Sequence, residues 1–215
     1  MDTSKAAPAG RRTAVIVGAS SGIGKEVALK LSGRGWRVYN LSRTPLSSER
    51  AKTMTADAAR EGELRRAILD IGTECGNLDL LVYSAGFSMA APIEYAAAGD
   101  YRYLFEVNYF GAVEAMKAAL PFLKKRGGRM ILIGSMGGEL PVPFDAFYSS
   151  SKAALAMLAR EVDMELRPVG VRVSAIPLPS SRQGEGMPFS APRAGCFPSA
   201  SPTGWCARNS ASLKT

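Results

Sequence analysis

Tyr148 and Lys152 stand four residues apart in the run FYSSSKAALAMLAR. Its apolar spacing predicts a helix over 146–167, and a four-residue gap puts both side chains on one face of it. A phenol, with an ordinary pKa of about 10, is a poor base at neutral pH. An ammonium group beside it favours the phenolate. Such a pair can pass a proton to or from an oxygen atom. Ser135, thirteen residues earlier and just past a predicted strand, supplies a hydroxyl that can hold that oxygen. A lone Tyr/Lys pair at this spacing is more often a solvated helix face, so its meaning depends on what accompanies it.

A second group of residues is Gly18-Ala19-Ser20-Ser21-Gly22-Ile23-Gly24, lying between a β-rich run and a helical pattern. Glycines let the backbone turn sharply and approach a pyrophosphate, and the following helix N-terminus stabilises its charge. A P-loop does not fit, because Ala19 stands six residues before Lys25 and Glu26 replaces the Ser/Thr. At Ser42-Arg43 the next strand ends without an acid. A dinucleotide seated at the first turn brings its adenosine ribose here, where an acid would pair with a 2′-hydroxyl and arginine suits a 2′-phosphate. NADP(H) is therefore favoured over NAD(H).

The elements that must position these groups alternate along the chain. Strands are predicted at 13–17, 36–41, 53–55, 78–83, 130–133 and 171–176, and helices at 22–32, 60–72, 98–124 and 146–167. Several strands are apolar on both faces, which points to an α/β fold with a doubly wound parallel sheet of Rossmann type. Residues 13–176 form that domain. Residues 1–12 read as a disordered lead-in. Residues 177–215 hold six of the 13 prolines, seven serines and two of the three cysteines without any sustained period, and read as an atypical, disordered tail.

Composition narrows the function. The chain of 215 residues has a formal charge of +8, but residues 13–176 carry 20 bases against 17 acids. Most of the excess sits in the termini, and no basic stripe is interleaved with aromatics, so a nucleic-acid partner is not expected. No apolar run approaches the roughly 18 residues of a membrane helix, and a membrane partner is not expected either. Three cysteines without CxxC spacing argue against a zinc site or a disulfide scaffold, and no metal is expected. The absence of histidine excludes Ser-His-Asp and Cys-His catalysis. A cytoplasmic location is the default.

The glycine turn, Asp57 after the third strand, Ala85-Gly86 after the fourth, Asn108, Ser135, Tyr148 and Lys152 follow one another in an order and spacing that resembles the short-chain dehydrogenase/reductase family. The resemblance covers residues 13–176, about three-quarters of the chain, and GRMILIGSMGG with FYSSSK is similar to the steroid and keto-reductase members. It implies an oxidoreductase acting on a small carbonyl or alcohol, with Tyr148 as acid/base and Ser135 as anchor of the substrate oxygen. Lys152 would be both partner of the tyrosine and ligand of the nicotinamide ribose, and Asn108 would hold a water in a proton relay. Gly18, Ser20, Ser21, Gly22, Ile23 and Gly24 would cradle the pyrophosphate and Arg43 would read the 2′-phosphate. Asp57 and Ala58 would flank the adenine, and Ala85 and Gly86 would line the ribose. A homodimer or homotetramer paired through the helices at 98–124 and 146–167 is also implied.

Three departures qualify the resemblance. Val17 stands where many members have threonine, and Ser84 where they have asparagine. After Ile176 the family continues into a Pro-Gly turn, a substrate-covering loop and a last strand, whereas this chain continues Pro177-Leu178-Pro179-Ser180. The sheet is therefore expected to lack its last strand. The alternative reading is a truncated or frameshifted, catalytically impaired remnant, or a non-enzymatic sensor or scaffold.

Overall fold

The computed structural model describes residues 11–46, 48 and 51–178. Six strands build one parallel sheet: β1 (Thr13–Val17), β2 (Arg37–Ser42), β3 (Lys52–Thr55), β4 (Leu80–Tyr83), β5 (Arg129–Ile133) and β6 (Arg172–Ile176). Their order is β3-β2-β1-β4-β5-β6. Val15 of β1 lies opposite Tyr39 on one side and Leu81 on the other. The helices are α1 (Gly22–Gly33), α2 (Glu63–Cys75), α3 (Ala98–Phe105), α4 (Gly111–Leu123) and α5 (Ala146–Leu166). This is the doubly wound Rossmann-type arrangement. The chain runs from β1 outward to β3, then crosses back to lay β4 on the other side of β1, which leaves a crevice at the C-terminal ends of β1 and β4.

The inner strands β1, β2 and β4 are buried on both faces, and β1 shows why its run Ala14–Val17 is apolar. Val15 and Val17 join a core with Ile68 of α2, Ala115 of α4 and Leu155 of α5. Ala14 and Ile16 point the other way, into a cluster with Ala28 of α1, Val38 and Val82. Each fully buried leucine, such as Leu81 or Leu132, contributes about 2–3 kcal/mol by leaving water. At the far end of α5, Asp163 accepts from Arg167 (2.6 Å), Arg172 (2.9 Å) and the Val173 amide (2.9 Å). The arginine hydrogen bonds hold its carboxyl well below the usual carboxylate range and pin α5 to β6.

Several elements differ from the sequence expectation. The helix expected over 98–124 is interrupted by a π-turn, Glu106–Phe110, between α3 and α4. The wider turn aims Asn108 inward, fully buried, and the Tyr83 hydroxyl donates to the Val107 carbonyl within it. Gly111 ends the turn because a Cβ there would strike the Tyr83 hydroxyl and lie 2.8 Å from the Ala58 carbonyl. The helix expected at 60–72 instead starts after Gly62, whose φ of 78° is left-handed, and runs on to Cys75. Arg11, assigned to the lead-in, donates to the Gly35 and Trp36 carbonyls at 2.7 and 3.1 Å, and Leu178, assigned to the tail, accepts from the Met136 amide at 3.0 Å. Among the described residues β3 and β6 are the outer strands. The rest of the expected lead-in and tail, residues 1–10 and 179–215, lies outside the described residues.

Candidate active site

The glycine turn leaves the C-terminal end of β1 and opens α1. Gly18 has φ 86°, and a Cβ there would lie 2.6 Å from the Ala85 amide nitrogen. A Cβ on Gly24 would strike the Gly18 carbonyl, whereas Gly22, at φ 55°, faces open space. Ser21 occupies the cap position in extended conformation without a side-chain capping bond, and no acid stands in the first turn. The first amides of α1 therefore have no partner within the helix and carry its positive end toward the crevice. Ser20 and Ser21 flank this opening and Ile23 is exposed at it. Asn40, buried in β2, accepts from the Ala19 amide at 3.0 Å and donates to Ser42 and Thr53 at 2.9 and 3.3 Å. It ties the turn to the neighbouring strands.

Arg43 follows β2, exposed, and its Nη1 donates to the Tyr103 hydroxyl of α3 at 3.2 Å. Asp57 and Ala58 follow β3, where the Asp57 carboxylate accepts from the Ala59 amide at 3.0 Å. Ala85 and Gly86 follow β4. A Cβ on Gly86 would lie 3.0 Å from Asn108 Oδ1 and 3.3 Å from Lys152 Nζ, so only glycine admits so close an approach without displacement.

Tyr148 sits in the first turn of α5 and Lys152 one turn further on. Lys152 is 5% exposed, donates from Nζ to the Ile133 carbonyl at 2.9 Å, and lies 5.9 Å from the centre of the Tyr148 ring. Burial pushes its pKa down to about 8. Ser135, also 5% exposed, accepts from the Gly137 amide at 3.1 Å, which leaves its own hydroxyl proton to be donated elsewhere. Ser135 Oγ, Ser149 Oγ and the Tyr148 ring surround Gly137, at 3.5, 3.4 and 3.8 Å from where its Cβ would be. A Cβ on Gly138 would lie 2.9 Å from both the Lys152 carbonyl carbon and the Ala153 amide. These two glycines let the Met136–Gly138 turn rest directly on α5 and bring Ser135 to Tyr148.

Asn108 binds the Phe87 amide and carbonyl, both at 3.0 Å, and its Nδ2 also donates to Ser151 Oγ at 3.1 Å. Ser151 in turn donates to the Tyr148 carbonyl at 2.7 Å. All the sequence-predicted residues thus lie at the C-terminal edge of the sheet. Ser135, Tyr148, Lys152 and Asn108 gather around the start of α5, and Gly18–Gly24 with Arg43, Asp57 and Ala58 gather beside β1 to β3. Sequence reasoning missed Asn40, Ser151, Tyr103 and the Gly137-Gly138 pair. Only the glycine pair left a signal, as an unexplained doublet after a strand.

The arrangement fits a dinucleotide. A cradle that Cβ atoms would fill, amides at the head of α1 without a partner within the helix and an exposed guanidinium beyond β2 suit phosphates, while a phenol and a buried ammonium suit proton movement at the other end.

The family model of short chain dehydrogenases matches residues 12–181. The chain is 34% identical over 164 residues to 3-ketodihydrosphingosine reductase of Bacteroides thetaiotaomicron, which spans 75% of this chain and 61% of that protein. It is 36% identical over 182 residues to 11-beta-hydroxysteroid dehydrogenase type 2 of Oryctolagus cuniculus, across 79% of this chain and 45% of that one. The chain thus covers only about half to three-fifths of the length of these curated relatives. Among solved structures, ElxO with NADP bound is similar with a TM-score of 0.74 and 26% identity, over 79% of this chain and 73% of that chain.

Proposed function

We propose that this chain, which belongs to the short-chain dehydrogenase family, is an NADP(H)-dependent oxidoreductase that interconverts a small carbonyl compound and its secondary alcohol. The observation that carries the reading is the buried Lys152 held beside Tyr148, with Ser135 brought to the same phenol across Gly137.

A nicotinamide held in the crevice would supply or accept the hydride at the substrate carbon. Ser135 donates its free proton to the substrate oxygen and fixes its position. Tyr148 gives that oxygen a proton in reduction, or removes one in oxidation. Lys152 carries its charge below about pH 8 and stabilises the phenolate that remains. Asn108 holds the relay through which the proton is replaced from solvent. On the binding side, Gly18, Ser20, Ser21, Gly22, Ile23 and Gly24 receive the pyrophosphate at the head of α1. Asp57 and Ala58 flank the adenine, and Ala85 and Gly86 line the cofactor ribose. Arg43 reads the 2′-phosphate, supported by its exposure and by the lack of an acid at the end of β2. The related fold of ElxO, solved with NADP bound, is consistent with this preference. Assembly as a homodimer or homotetramer through the helical stretches 98–124 and 146–167 belongs to the same reading.

The test is NADPH oxidation against a panel of ketones and aldehydes, with cofactor binding followed by nicotinamide fluorescence. Turnover that requires NADPH is the expected result. Tight NADPH binding without turnover on any carbonyl would instead favour a catalytically impaired dinucleotide-binding protein, and absence of binding would overturn the reading altogether.

A further inference from the structure

An exposed arginine on a flexible stem is a poor reader of a phosphate unless something limits its rotamers. The Arg43 guanidinium is held by the Tyr103 hydroxyl at 3.2 Å. The Tyr103 ring in turn packs on Phe87, with ring centres 5.6 Å apart and planes tilted by 39°. The Phe87 peptide is gripped at both its amide and its carbonyl by Asn108. Arg43 follows β2 and Phe87 follows β4, the two neighbours of β1. Tyr103 therefore joins the two sides of the crevice, and Arg43 is placed by the same buried amide that braces α5.

The geometry points to Tyr103 as a positioning residue for dinucleotide selection, holding the Arg43 guanidinium where it meets a phosphate on the adenosine ribose. This rests on the reading of Arg43 given above. A guanidinium has five donors in a planar fork. The phenol oxygen occupies one N–H and leaves the others to a phosphate, which takes them in pairs. The phenol thus reduces the rotamer freedom that phosphate binding would otherwise have to remove. Two consequences follow. The hydroxyl matters for a cofactor that carries the 2′-phosphate and not for one that lacks it, and it matters only while Arg43 is present. A tyrosine that merely covered Phe87 would show neither property, because phenylalanine covers it equally well.

The experiment is a double-mutant cycle on dissociation constants for NADPH and NADH, measured by fluorescence titration of the full chain carrying Tyr103→Phe, Arg43→Ala or both. Tyr103→Phe is expected to weaken NADPH by about 3- to 10-fold, the net worth of one hydrogen bond at a solvent-exposed site. NADH should change by less than about twofold, and the NADPH effect should vanish in the Arg43→Ala background. The phenol is exposed, so melting curves check that the variant is folded. Tyr103→Ala, which also removes the ring from Phe87, should cost at least as much for NADPH. An unchanged NADPH affinity in Tyr103→Phe overturns the inference, and so does an equal loss with and without Arg43. If Arg43→Ala itself weakens both cofactors alike, the phosphate reading of Arg43 has failed and the role of Tyr103 falls with it.

Discussion

The two sides of the crevice are built by unlike means. Beside β1 the backbone does the positioning. Gly18 and Gly24 allow approaches that no side chain would permit, and the turn is tied to β2 by the Gly18 amide, which donates to the Leu41 carbonyl at 2.8 Å, and by Asn40. Beside β5 side chains do it. Asn108, Ser151 and Lys152 spend their polar groups on the Phe87 peptide, the Tyr148 carbonyl and the Ile133 carbonyl. The first side should be most sensitive to added bulk at two points, Gly18 and Gly24. The second should tolerate bulk better than the loss of a partner, because each deletion strands a buried polar group.

The largest expected effect separates chemistry from position. Tyr148→Phe should lower turnover by about 10²- to 10⁴-fold, while NADPH affinity and melting temperature stay near those of the parent. Near-normal turnover would show that the β5 side does not hold the acid/base.

On the β1 side the three turn glycines should behave differently. Gly18→Ala and Gly24→Ala force a Cβ against backbone and should each cost about 1–3 kcal/mol or more, with cofactor binding lost for NADPH and NADH alike. Gly22→Ala meets only its left-handed φ of 55° and should cost about 1–2 kcal/mol. Equal destabilisation of all three in chemical denaturation would mean that close approach is not what holds this side.

On the β5 side, Asn108→Ala strands the Phe87 amide and carbonyl and should cost about 1–3 kcal/mol. Turnover should fall further than stability explains. A stable variant with unchanged rate would break the contrast between the sides.

The smallest effect is a pH slope. Lys152 has its pKa lowered by burial to about 8 from 10.5, so between these values the unfolded chain binds more protons than the folded one. This group's contribution therefore makes stability rise with pH across that window, by about 1 kcal/mol from about pH 8 to 9. Below about pH 8 the full penalty of burying the charge is present. Lys152→Met should remove this rise, and denaturant titrations at several pH values on both proteins would measure it. In the parent chain the proposed turnover should decline above about pH 8 as the ammonium is lost. A rate that keeps climbing to pH 10 would place the charge elsewhere.

The sequence by itself determined what depends on short stretches of chain. The Tyr148–Lys152 pair follows from helical period, the turn at Gly18–Gly24 from the glycines it requires, and the parallel sheet from apolar runs such as Ala14–Val17. Each is set by residues within a few positions of one another, where backbone geometry is nearly the same in every fold. The long helix at 98–124 misled for the complementary reason. Its apolar pattern continues through Glu106–Phe110, and the π-turn arises from what Asn108 meets, residues 21 and 43 positions away in the chain. Only the tertiary structure decided that Lys152 is buried, that Gly86 admits Asn108 and Lys152, and that Arg43 touches Tyr103 across 60 residues. Such approaches depend on which surfaces the packed layers bring together, and no local window of sequence contains both partners.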